Sequence, residues 1–226
     1  ELDPEVPNAE LYLALSYAGQ FIPNFPTPEN NQVASQAIAT YESVLTKEPT
    51  NTTAIAGLAA IYQGQDDLES AREYYLLQAE ISPEDPVAQY SVGSINWNLA
   101  GNIVPSLVFP DAPPLPLTAE QEAMSEEELA ADLSAQRERI LTLIEEGQQA
   151  LTLSLELNPD YEDAMTFKNL LYRMAAEMIP ADSEDEEALA RKEELVAQAD
   201  DWFAQALETR ARNAEDSASQ FGTVQD

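Results

Sequence analysis

The side chains with which this sequence could do chemistry are carboxylates, hydroxyls, tyrosines and a few lysines, because it contains no histidine and no cysteine. That removes the usual general base, the thiolate nucleophile and the commonest zinc ligands. Paired carboxylates remain, and such pairs cleave glycosides when one of them is held protonated. With 42 Asp and Glu in 226 residues, however, close pairs arise without any catalytic purpose. The densest cluster, Asp182, Glu184, Asp185 and Glu187, offers the hard oxygen ligands calcium prefers but not the spacing of an EF-hand loop. It reads first as acids in an opening helical turn, where they oppose the macrodipole, and Glu126–Glu128 read the same way. Seven glycines form no phosphate-cradling loop, and neither Gly-x-Ser-x-Gly nor His-Glu-x-x-His occurs. No catalytic residue, metal or cofactor is expected. Asn51-Thr52-Thr53 is the one N-glycosylation sequon, and it falls where a polar turn is expected.

Charge narrows the partners. Acids outnumber bases 42 to 10, the net charge is −32 at pH 7, and Lys47 and Arg72 are the only cations before residue 137. Such a surface repels nucleic-acid phosphates and anionic lipid headgroups, so neither is expected as a partner. No run approaches the roughly 20 apolar residues of a membrane-spanning helix. A content of 44% apolar and 23% charged residues is that of a folded globular chain. The first residue is Glu1 rather than Met, which leads to the expectation of a removed leader and an exported or extracellular protein.

The elements that position these side chains repeat. Pro49 and Pro83 are 34 residues apart, as are Tyr41 and Tyr75, Ala37 and Ala71, and Ala54 and Ala88. Ala54–Pro83 reads as two helices: Leu58, Ala59 and Tyr62 on the first, Ala71 and Tyr75 on the second, with Pro83 closing it. Small residues let the two helices approach, the aromatic fills the gap, and proline ends the second helix. This unit resembles the tetratricopeptide repeat (TPR), whose period is 34. Gln78 stands where that family prefers alanine, with Ala79 beside it. Allowing insertions, four units are expected at about 9–49, 52–83, 86–159 and 163–212. The last opens with Met165, Phe167, Lys168 and Asn169, which depart from the usual first-helix pattern. Its run YEDAMTFKNLLYRMAAEM resembles the closing repeat of exported bacterial TPR proteins. The resemblance implies an all-α helix-turn-helix solenoid with insertions between the two helices of repeats 1, 3 and 4. Tyr62, Tyr75, Trp202 and Phe203 are expected in the core.

Three segments depart from a plain array. Ile103–Leu117, within a Pro-rich insertion and helix extension at 101–128, is apolar and carries five prolines. Extended chain is expected there, with Leu107 and Phe109 buried against protein. A helical stripe then runs from Leu129 to Leu157, predicting one long helix from about Ala119. The final helix is predicted over Glu186–Arg212, and the two long helices are expected to support each other. A polar tail, 213–226, follows.

Two functions fit these features. The first is a structural subunit stacking head to tail, as in an extracellular bacterial filament, because the last helix is apolar on more than one face and no capping helix follows it. Contacts would then join the tail anchors Phe221 and Val224, the cations Arg210 and Arg212, and the loop residues Leu107 and Phe109 to another copy. Glu1, Asp3 and Glu5 of that copy would meet the arginines. Glycans or cations would relieve the repulsion. The alternative is a monomeric adaptor holding a basic or apolar peptide of a partner protein in its concave groove. The first helices at 9–22, 52–65 and 87–100 contain no Lys or Arg, which disfavours a clamp for a peptide's C-terminal carboxylate.

Overall fold

A computed structural model describes the backbone of residues 8–103, 116–180 and 183–222, with side chains described as far as residue 215. Helices follow in the order α1 (Ala9–Ala18), α2 (Pro28–Lys47), α3 (Thr52–Gly64), α4 (Leu68–Ile81), α5 (Pro86–Ile103), α6 (Ala119–Glu122), α7 (Glu126–Leu157), α8 (Glu162–Glu177) and α9 (Glu186–Gly222). No strand occurs among the described residues, and the chain is all-α, as expected. Its contacts divide it into two units, Glu1–Ile95 and Asn96–Asp226, with the division inside α5.

Side-chain caps set the helix starts. The Thr27 hydroxyl accepts from Asn30 N at 3.2 Å with Pro28 at the first helical position, so α2 begins at Pro28. Asn51 Oδ1 accepts from Ala54 N at 3.0 Å while its amide donates to Glu48 Oε2 at 2.8 Å. The sequon asparagine is thus the cap of α3. The single helix predicted from Ala119 to Leu157 is in fact two. Ser125 N donates to Glu128 Oε2 at 2.9 Å and Glu128 N donates to Ser125 Oγ at 3.3 Å. This reciprocal capping box starts a new helix and contributes about 1 kcal/mol to it. Conversely, α9 does not stop at Arg212. Ala214, Glu215, Ala218 and Gln220 favour helix, no proline intervenes, and the helix continues to Gly222.

In the first unit, α1 packs on α2, α2 on α3 and α3 on α4. The core is Ala14, Ala34, Ala37, Tyr41, Val44, Ala54, Leu58 and Ile61. Tyr62 stacks on Tyr74 with ring centroids 5.7 Å apart, and the Tyr75 hydroxyl donates to Gln63 Oε1 at 2.7 Å. Gln78, where the family prefers alanine, is buried. The α1–α2 connection is tied down by one side chain. Asn30 Oδ1 accepts from Ile22 N at 2.8 Å, and its amide donates to Ile22 O at 2.8 Å and Phe25 O at 2.9 Å. Asn24, in the left-handed region at φ 57°, donates its backbone N–H to Gly64 O at 2.8 Å. A Cβ on Gly64 would lie 2.6 Å from Cε1 of Phe21, so glycine is what lets the connection close onto α3.

In the second unit, α8 packs against both α7 and α9. Asn96 on α5 donates to Leu143 O at 3.2 Å, and Asn169 on α8 donates to Ala199 O at 2.6 Å. Ile140, Ile144 and Leu151 of α7, Leu171 and Met174 of α8, and Leu195 and Ala199 of α9 are buried. Burial of each large member contributes about 1.5–3 kcal/mol. Trp97 meets Phe167 edge to face at 5.4 Å. Trp202 is partly buried, but Phe203, expected in the core, is exposed. The side of α9 that faces α8 is occupied by Leu195, Ala199 and Ala206 instead.

One close approach yields a test. A Cβ on Gly57 of α3 would lie 2.6 Å from Cε2 of the buried Tyr41 ring. Gly57→Ala recovers about 1 kcal/mol of helix propensity, but forcing the ring aside costs about 1–3 kcal/mol. A lower urea midpoint with an unchanged m-value is expected; a stabilised variant would show that α2 and α3 yield freely.

Candidate functional site

A partner would meet the charges and apolar faces that the chain leaves unengaged. The cations are all engaged. Lys47 pairs with Glu10 at 2.6 Å, Arg173 with Asp200 at 2.7 Å and Arg191 with Glu194 at 2.6 Å. Arg210 pairs with Glu162 and Arg212 with Asp160, each at 2.5 Å. Arg72 and Arg139 also interact within the chain. These pairs are largely exposed, so each contributes about 0–1 kcal/mol. Their consequence is electrostatic: every Lys and Arg of the sequence has a partner inside its own chain.

Two further cations cap a helix. Arg137 of α7 donates to Met178 O at 2.5 Å, and Lys192 of α9 donates to Ile179 O at 2.9 Å. Both carbonyls lie at the C-terminal end of α8, where they lack intrahelical donors and where the macrodipole favours positive charge. The two long helices, expected to support each other, are therefore tied through the end of α8.

Lys168 is the remaining cation and explains the unusual opening of the last repeat. It is 4% exposed, donates to the Thr152 hydroxyl, and lies 4.7 Å from the centroid of the Trp202 ring. Removal from water holds its pKa below the ordinary 10.5, with Glu156 acting in the opposite direction. Neighbouring Asn169 carries the α8–α9 bond. Both polar residues serve packing between helices.

Several large apolar side chains are exposed, and two pairs of them lie on α1 and α9. On α1, Tyr12 is 61% and Leu15 41% exposed; on α9, Phe203 is 51% and Leu207 48% exposed. Spacings of three and four residues put each pair on one side of its helix. The inward sides are held by Ala14 on α1 and by Leu195, Ala199 and Ala206 on α9. Sequence reasoning missed Tyr12 and Leu15; their signal was an apolar spacing on both sides of Ala14.

The structure brings Arg210 and Arg212 together at the start of α8, on acids of their own chain. Phe221 falls within the backbone of α9, while nothing is described of its side chain. Glu1, Asp3, Glu5, Leu107, Phe109 and Val224 lie outside the described residues, as does Asp182 of the acidic cluster. Among the described residues no group of three acidic side chains is placed to hold a metal ion, and no helix is long and apolar enough to cross a membrane.

The buried lysine gives a pH test. Between its depressed pKa and 10.5 the folded chain binds fewer protons than the unfolded one, so stability rises with pH across that window. Below the window the desolvation cost is present in full. Lys168→Met should flatten this rise in urea midpoint between about pH 7 and about pH 9.5, kept below tyrosine ionisation. Equal pH slopes in the two proteins would contradict a depressed Lys168.

The tetratricopeptide repeat family model matches residues 34–94, from within α2 to within α5. No curated protein matches the chain. Among solved structures it is similar to the MamA protein, at 14% identity over 92% of this chain and 96% of that one, with a TM-score of 0.34. It is similar to YrrB, described as a TPR protein with an unusual peptide-binding site, at 15% identity over 90% and 91% of the chains, with a TM-score of 0.33. PilW, described as a widely conserved type IV pilus biogenesis factor, matches at 17% identity over 93% of each chain, with a TM-score of 0.31. Over α2 to α5 the helical hairpins match the tetratricopeptide repeat.

Proposed function

We propose that this protein is a non-enzymatic scaffold that holds cationic or apolar segments of other proteins. The observation that carries the reading is the engagement of all ten cations within the chain, against a net charge of −32. A partner meets carboxylates and apolar side chains, and no cation without a prior partner. Repeat arrays supply extended surfaces for such contacts. The first helices α1, α3 and α5 contain no Lys or Arg, which turns them away from anionic peptide ends. Export from the cell is the compartment proposed with this reading, on the resemblance of residues 161–178 to exported bacterial repeat proteins.

A second reading, head-to-tail self-association into a filament, is favoured by the apolar pairs Tyr12/Leu15 and Phe203/Leu207. Arg210 and Arg212 would have to exchange Glu162 and Asp160 for acids of another copy, so apolar burial would carry the contact.

Salt separates the two. Screening weakens attraction between the acidic chain and a cationic peptide but relieves repulsion between copies. An oligolysine peptide is expected to bind saturably, with affinity falling steeply between about 50 mM and about 300 mM salt, while light scattering reports a monomer throughout. Failure of oligolysine to bind at low salt would overturn the scaffold reading. A mass that grows with salt, and returns to that of a monomer in Phe203→Asp/Leu207→Asp with unchanged helix content, would establish self-association. Bound divalent cations or glycans would act in the same direction as salt.

A further inference from the structure

We infer that the cleft between the α1–α2 connection and the α3–α4 turn is a docking site for a proline-containing, arginine- or lysine-bearing peptide in the extended polyproline II conformation. The inference rests on the scaffold reading and names a site and a ligand class for it. The cleft has a volume of about 600 Å³, within the range of small-ligand and peptide sites. Its walls are the rings of Phe21, Phe25 and Pro26, and its rim carries Asn31, Gln65 and Asp66.

Three properties select the ligand. The cleft lies open at the surface: Phe25 is 52% exposed, and Asn31, Gln65 and Asp66 are exposed too. It therefore suits a chain passing across it better than an enclosed small molecule. The ring faces suit proline, whose flat apolar ring packs on aromatics. A polyproline II strand leaves its carbonyls without internal donors, and the side-chain amides of Asn31 and Gln65, which bond no other group among the described residues, can supply them. Among the described residues no cation pairs with the Asp66 carboxylate. No Lys or Arg lines the cleft, so its charge complement is a cation on the peptide.

The cleft is also built before any ligand arrives. Asn30 fixes Ile22 and Phe25 by three hydrogen bonds, Asn24 N–H closes on Gly64 O, and Phe21 occupies the space a Cβ on residue 64 would need. Rigid walls of this kind reduce the ordering cost of binding.

The test uses the full chain and three synthetic peptides of about nine residues, long enough for about three polyproline turns. One is oligoproline with a single central arginine. In the second, glutamate replaces the arginine; in the third, glycine and serine replace the prolines. The arginine–proline peptide should shift amide resonances confined to the α1–α2 connection, the start of α2 and the α3–α4 turn. Phe25→Ser, which removes an exposed ring, should weaken binding about tenfold. Asp66→Asn should weaken it about threefold and reduce its salt dependence. Circular dichroism checks that both variants fold, and Gln65→Ala provides a third variant at a surface position. Equal binding of the glycine–serine or glutamate peptide, shifts centred elsewhere, or unchanged affinity in Phe25→Ser would overturn the site. If oligolysine binds while the arginine–proline peptide does not, the cleft is refuted and the scaffold reading stands. If neither binds, both fall.

Discussion

The architecture depends on how closely neighbouring helices can approach. In the first unit the inward positions are mostly alanine: Ala14, Ala34, Ala37 and Ala54 have no exposed surface. Tyr41 lies against a glycine, because Gly57 leaves the volume its ring occupies. Interiors packed at crystal-like density do not absorb an added methyl without displacement. The same economy of volume at Gly64 lets Phe21 enter, and with it the α1–α2 connection that forms one wall of the cleft.

The spacing of small and aromatic residues was readable in the chain because it repeats. Ala37, Tyr41 and Ala54 recur at the period of the repeat, and all three are buried. Local chemistry was only half legible. Glu126–Glu128 announced a helix start by charge, yet the box closed by Ser125 also interrupts what apolar periodicity alone had joined. Phe203 shows the limit of periodicity, which locates an apolar face but not the neighbour that covers it. Asn30 carried no signal, and Asn169 only a departure from the repeat pattern, since their partners are backbone groups chosen by the tertiary fold. Nor did the pairing of Arg212 with Asp160, 52 residues away. The cleft was missed for the same reason: its two walls lie far apart in sequence.

The electrostatics follow from scarcity. Ten cations among 42 acids are all engaged at home: Arg137 and Lys192 on carbonyls, Lys168 under an indole, others on carboxylates. Most individual pairs are exposed and weak. With each cation beside a partner of its own chain, the net balance of −32 sets the sign of the long-range field a second molecule meets.

The joint at the end of α8 has a mechanical consequence. Met178 O and Ile179 O receive one cationic side chain from each of the long helices. A pull along α9 therefore reaches α7 through two adjacent peptide groups, in parallel with the apolar contacts along α8. The two hydrogen bonds lie in series along that path, so the weaker one sets its strength. The joint couples α9 to α7 through the end of α8, beside the packing of each long helix on α8.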